Sequence, residues 1–92
     1  MTLPDAELTA ALATLPHWSL RDGMLVREWR FADFTQAMHF VHQVAALAEA
    51  ANHHPDIDIR YARVRLALVS HDSGGITRRD IDLAAQLDTL AL

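Results

Sequence analysis

The sequence contains no cysteine and no lysine. The first absence excludes a disulfide framework, a thiolate metal site and a cysteine nucleophile. The second excludes the lysine of a phosphate-binding loop, so Asp72-Ser73-Gly74-Gly75 resembles such a loop only in its glycines. Proline and glycine are scarce, at three each, and 51% of the residues are hydrophobic, which excludes a disordered chain. No apolar run approaches the roughly 20 residues needed to span a bilayer. The opening MTLPDAELTA lacks the basic start and apolar stretch of a signal peptide, so no leader is expected. A cytoplasmic protein without membrane contact is the expectation. All eight basic residues are arginines; twelve acidic residues outweigh them, giving a net charge of −4. An acidic chain is a poor default partner for nucleic acid, and none is expected.

The 92 residues suffice for one small domain, taken as 1–92. A chain this short buries roughly 60–65% of the surface its unfolded form exposes, so assembly is a natural supplement to its core. There is no linker, repeat or low-complexity segment. Thr2 to Thr14 reads as a helix with Thr2 as N-cap and Leu8, Leu12 and Leu15 near one face; Pro16 ends it. His17 to Leu20 reads as a short strand, Arg21-Asp22-Gly23 as a turn, and Met24 to Phe31 as an alternating strand, hence a first hairpin. Asp33, with Gln36 three residues on, opens a second helix that runs to about Ala51. Phe34, Met38, Val41, Ala45 and Ala48 form one apolar stripe and Phe40, Val44 and Leu47 lie beside it. So broad a surface predicts burial on more than one side, as in a subunit interface.

Ile57, Ile59 and Tyr61 then alternate with Asp58 and Arg60. Val64, Leu66 and Leu68 alternate with Arg63 and Arg65. The apolar parity flips between the two runs, which predicts a second hairpin with a tight turn near Ala62 and Arg63. Thr77 opens the last helix with a T-x-x-D box to Asp80, and Ile76 and Ile81 can form a hydrophobic staple. Leu83, Leu87 and Leu90 supply its apolar stripe. The order α-β-β-α-β-β-α predicts a two-layer α+β fold, a four-stranded antiparallel sheet with helices on one face.

Three of the six histidines surround the second hairpin: His53 and His54 before it, His71 after it. A hairpin returns the chain, so all three are expected near one another at the sheet edge, outside the core. Asn52 can end the helix in the left-handed conformation, and Pro55 pushes His54 into an extended one. Imidazoles that titrate near neutrality suit acid and base work. Three histidines can also hold zinc, but no H-x-H or H-x-x-x-H pair exists among these, and adjacent histidines rarely both reach one ion. His39 and His42, at i and i+3, fit a solvated or interfacial helix face. Asp80 is explained by capping alone. Glu49 opposes the helix dipole in the last turn of its helix, which hints at another use. Ser70 and Ser73 flank His71 without forming a triad. Arg60, Arg63 and Arg65 fit the outer face of a hairpin.

Glu49, three residues, His53-His54-Pro55, a hairpin, then Ser70-His71-Asp72 with Gly74-Gly75, a helix cap and Asp80: this pattern resembles the pterin-4a-carbinolamine dehydratases. WRFADFTQA (29–37) is similar to the family's aromatic–x–Phe–x–Asp–Phe segment, and Trp18 stands where a family tryptophan is expected. The resemblance covers about residues 17–88. It implies the same α+β fold, assembly as a homodimer or homotetramer, and loss of water from 4a-hydroxytetrahydropterin to give quinonoid dihydropterin. It implies catalysis by His53, His54 and His71, with Glu49 and Asp80 orienting or hydrogen-bonding histidines and substrate, with Pro55, Ser70, Asp72 and Ser73 also contacting the substrate, and with no metal or cofactor. It places the chain beside an aromatic amino-acid hydroxylase in pterin recycling. The alternative is a protein-binding dimerisation or coactivator module, because some animal members also bind a transcription factor.

Overall fold

Pro4 decides where the first helix begins. In the structure, a computed structural model that describes residues 1–90, α1 spans Asp5–Ala13. The expected start at Thr2 is not observed. Pro4 occupies the cap position with extended backbone and no side-chain cap bond, and a proline also disfavours helix at the residue before it. The N–H of Leu3 instead donates to the carbonyl of Ile76 at 2.9 Å. This strap lies so close to the loop before α3 that a Cβ on Gly75 would meet the Thr2 methyl at 3.0 Å.

Two hairpins build the sheet. Strand β1 (Ser19–Arg21) starts two residues later than expected and pairs with β2 (Met24–Arg30). Asp22 and Gly23 both have positive φ, 52° and 77°. That is the signature of a two-residue hairpin turn whose twist matches the strands. The second hairpin joins β3 (Asp56–Arg60) to β4 (Arg63–Leu68). Its turn is Tyr61-Ala62, one residue earlier than expected, with Tyr61 at φ 53°. Tyr61 therefore leaves the strand parity it was assigned to and points into solvent. The strand order is β1-β2-β4-β3, antiparallel throughout.

Between the hairpins runs α2 (Phe34–Ala51), capped by Asp33, whose carboxylate accepts the N–H of Gln36 at 2.9 Å. Its core side is Ala37, Phe40, Val44 and Ala48. The stripe read first in the sequence is, apart from the buried Ala48, the less buried one: Phe34 and Ala45 are exposed, Met38 and Val41 half-buried. Helix α3 (Arg78–Leu87) has the expected capping box between Thr77 and Asp80. Ile76, Ile81, Leu83 and Leu87 enter one core with Leu25, Trp29, Val64, Leu66 and Leu68 of the sheet. Trp29 packs between Trp18, edge-on at 5.7 Å, and Phe40 at 4.8 Å. An acid at the C-cap of α3 opposes the helix dipole. Asp88 is compensated there by Trp18 Nε1–H at 2.8 Å and Arg27 Nη1–H at 2.5 Å.

Candidate active site

The site grows from the end of α2. Asn52 takes the left-handed conformation, φ 50° and ψ 42°, as expected. The N–H of Asn52 donates to the carbonyl of Glu49 at 3.2 Å, and that of His53 to the carbonyl of Ala48 at 3.1 Å. This paired closure is a Schellman motif. It reverses the chain so that two consecutive imidazoles leave the helix in different directions, one inward and one outward.

His53 goes inward, which corrects the expectation that all three histidines lie outside the core. It is buried, 8% exposed, and its Nε2–H donates to Asp80 Oδ1 at 2.5 Å. Asp80 is fully buried. As a carboxylate it only accepts, and this orients the whole network. Its Oδ2 takes the hydroxyl of Ser70 at 2.9 Å and the N–H of Thr77 at 2.8 Å. Ser70 has then spent its proton, so the Thr77 hydroxyl donates to Ser70 Oγ at 2.8 Å. Three donors converge on one buried carboxylate, which is what makes its burial tolerable. The remaining ring nitrogen of His53, Nδ1, has no hydrogen-bond partner among the described residues.

His54 goes outward. Its Nε2 pairs with Glu49 Oε1 at 2.6 Å, and both side chains are exposed. Glu49, anomalous at a helix C-terminus, thus has a partner. Pro55, half-buried, follows and leads into β3. His71 lies beyond the far end of β4, exposed, with no side-chain hydrogen bond among the described residues. It borders a cleft of about 320 Å³ that Asp22, Gly23, Met24, Val69, Gly74 and Gly75 also line. His53 and His54 do not line that cleft. Because Asp56 pairs with Ala67, the residues before β3 and those after β4 share the open end of the second hairpin. Ser70, bonded to Asp80, links His71 to the His53 side.

The other expected contacts divide. Ser70 is almost fully buried, and its backbone N–H and carbonyl are both engaged within residues 70–75. Its hydroxyl bonds Asp80 and does not face solvent. Asp72 is exposed and accepts from Arg79 Nη2 at 2.6 Å. That hydrogen bond and the adjacent guanidinium charge hold its carboxyl below the usual carboxylate range. Ser73 is half-buried and receives the Met1 amino group at 3.4 Å. Among the described residues, no three His, Asp or Glu side chains are disposed to hold one metal ion. The sequence reading missed Thr77 as a member of the network. Its signal was a hydroxyl between Ile76 and the helix, in a stretch otherwise bound for the core.

A family model for pterin 4 alpha carbinolamine dehydratase matches residues 1–90. The chain belongs to this family. A relative from Chloroflexus aurantiacus is 56% identical over 88 residues, covering 96% of this chain and 95% of its own. One from Acidobacterium capsulatum is 58% identical over 79 residues, 86% of each chain. Both carry pterin-4-alpha-carbinolamine dehydratase as a provisional name. The crystal structure of a transcriptional coactivator/pterin dehydratase from Brucella melitensis superposes with a TM-score of 0.90 at 33% identity, covering 96% of each chain. A pterin dehydratase-like protein described as a RuBisCO assembly factor of the alpha-carboxysome matches at a TM-score of 0.62 and 25% identity. That match covers 77% of this chain and 82% of the other. The fold seen here is thus that of a solved pterin dehydratase over nearly its whole length.

Proposed function

We propose that this chain removes water from 4a-hydroxytetrahydropterin to give quinonoid dihydropterin. An acid protonates the C4a hydroxyl as the C4a–O bond breaks. A base takes the N5 proton, and the N–H electron pair becomes the new C4a–N5 double bond. Nothing is oxidised or reduced, so the step calls for no redox cofactor, and imidazoles can carry both protons. The observation that carries the reading is the doubled histidine: His53 and His54 each have one ring nitrogen held by a separate carboxylate, Asp80 and Glu49. A carboxylate partner orients an imidazole by holding one of its ring nitrogens. His71, Asp72, Ser73 and Pro55 would contact the substrate. Ser70 and Thr77 would act through Asp80. The setting would be cytoplasmic recycling of pterin beside an aromatic amino-acid hydroxylase, by a homodimer or homotetramer.

The test is a coupled assay in which such a hydroxylase generates the carbinolamine. Added protein should speed its disappearance above the uncatalysed rate, and chelation of divalent ions should leave that rate unchanged. No acceleration over the blank would reject the reading. Loss of activity on chelation, restored by zinc, would replace acid–base catalysis by imidazoles alone with a metal mechanism.

A second reading, a protein-binding module, draws on the exposed apolar residues Ile57, Ile59 and Tyr61 at the β3 edge and Phe34 on α2. A folded protein with no turnover that still binds a partner through these residues would favour it.

A further inference from the structure

The sheet face opposite the core carries an unusual row. Register places Arg30 of β2 against Arg63 of β4, and Arg63 against Arg60 of β3. Three arginines thus stand side by side across three strands, about 4.8 Å apart in the pairing direction. Like charges directly opposite one another on a sheet are destabilising. An acidic chain that holds five of its eight arginines on this one face (Arg21, Arg30, Arg60, Arg63 and Arg65) concentrates a charge it otherwise lacks.

Internal pairing relieves the row only in part. Arg30 Nε–H donates to Glu28 at 3.2 Å and Arg60 Nε–H to Asp58 at 3.3 Å, all four side chains solvent-exposed. Both bonds use Nε and leave the terminal guanidinium nitrogens without a partner among the described residues. Arg63, the central member, makes no ion pair among the described residues. In the next row Arg65 lies between Glu28 and Asp58. Four guanidinium groups against two carboxylates leave two positive charges. A shallow cleft of about 230 Å³ opens here, lined by Glu28, Asp58, Arg60, Arg63 and Arg65.

We propose that this row is a binding site for a phosphate-type dianion, separate from the histidine site. The free guanidinium forks match the planar, two-oxygen contact that phosphate offers. The residual charge of the cluster matches a phosphoryl dianion. The anion would bind Arg63 centrally and draw Arg30 and Arg60 off their single-bonded carboxylates. Two sources share this chemistry, free inorganic phosphates and the terminal phosphoryl group of a larger metabolite.

Calorimetric titration of the protein at low ionic strength tests this, with inorganic pyrophosphate and glycerol phosphate as probes. Saturable binding is expected, weakened about tenfold or more by Arg63→Gln, the scale of losing a charge-assisted contact. Arg78→Gln, which lies away from the sheet, should bind as wild type, and Arg63→Gln should keep full pterin turnover. Without anion, Arg63→Gln should melt no lower than wild type, because it removes a repulsion; pyrophosphate should raise the melting temperature of wild type only. Binding of both probes supports a phosphoryl group on a larger molecule, and binding of pyrophosphate alone supports a free polyphosphate. The proposal is overturned by the absence of saturable binding, by equal binding in Arg63→Gln, or by equal weakening in Arg78→Gln. A single-stranded RNA oligonucleotide that outcompetes pyrophosphate at equal phosphate concentration would also overturn it, in favour of a nucleic-acid surface.

Discussion

At the scale of single residues, the adjacent histidines are not equivalent. His53 is buried against Asp80, whereas His54 is exposed against Glu49. Replacing His53 by alanine strips one donor from a buried carboxylate, which costs roughly 1–3 kcal/mol. His54→Ala removes an exposed pair and should cost less than about 1 kcal/mol. Urea unfolding of both variants checks this: equal losses would contradict the buried–exposed division. Turnover should fall in both by roughly 10²–10⁴-fold if each exchanges a proton with substrate. Asp72 supplies the pH prediction at this scale. Arg79 holds its carboxyl below the usual range, so the pair contributes above the unfolded value and is lost as pH falls through the folded one. Exposure keeps the effect small. In a carboxyl NMR titration, Arg79→Gln should move the Asp72 midpoint upward; an unmoved midpoint would mean that Arg79 is not the cause. The Thr77–Asp80 box was legible in sequence because capping is local. That Asp80 holds a histidine is what the family resemblance implies; which one is not legible, because the bond joins residues 27 apart and nothing local says which of two neighbouring histidines turns inward.

At the scale of elements, the histidines depend on how α2 stops. Asn52 holds φ at 50°, a conformation that costs most non-glycine residues roughly 1–2 kcal/mol. Asn52→Gly should therefore be tolerated in stability, while Asn52→Val should lose about 1 kcal/mol or more. If the cap also aims His53 and His54, Asn52→Val should lower turnover at temperatures where the protein remains folded. Circular dichroism melting beside the dehydration assay separates the two effects; full activity in a destabilised variant would show that the cap does not aim the histidines. Asparagine before a proline-bounded turn was readable as a helix end. The start of α1 was misread because Thr2 satisfies the capping pattern, yet Leu3 has a stronger claim on its backbone from Ile76. A tertiary hydrogen bond overrode a local rule, and only the fold shows that the two segments meet. The second hairpin's turn shifted by one residue for a related reason: Tyr61 reads as a strand residue by type and parity, but ladder closure at Arg60 and Arg63 places it in the turn.

At the scale of the whole molecule, the described residues leave two apolar surfaces without cover among themselves. The core takes the Ala37, Phe40, Val44 and Ala48 side of α2 and leaves the Phe34, Met38, Val41 and Ala45 stripe partly in solvent. Strand β3 is an edge, and Ile57 and Ile59 on it are 38% and 37% exposed. An exposed apolar edge strand is normally blunted by charge or covered. The charges of β3 sit on the other face, at Asp56, Asp58 and Arg60, so its apolar side is unprotected. The breadth of α2 was visible in sequence; the exposure of β3 was not, because alternation reports two faces without saying whether a helix reaches over one of them. Self-association through one or both surfaces is the expected outcome, and light scattering at micromolar protein should report a dimer or larger. Ile59→Lys should weaken the assembly if β3 takes part, and Phe34→Glu if α2 does. Both positions are exposed in the single chain, so neither substitution disturbs the core and a change in mass can be attributed to the interface. A wild-type monomer with full dehydratase activity would mean that these surfaces are simply tolerated. Retained assembly in both variants would place the contact elsewhere on the molecule.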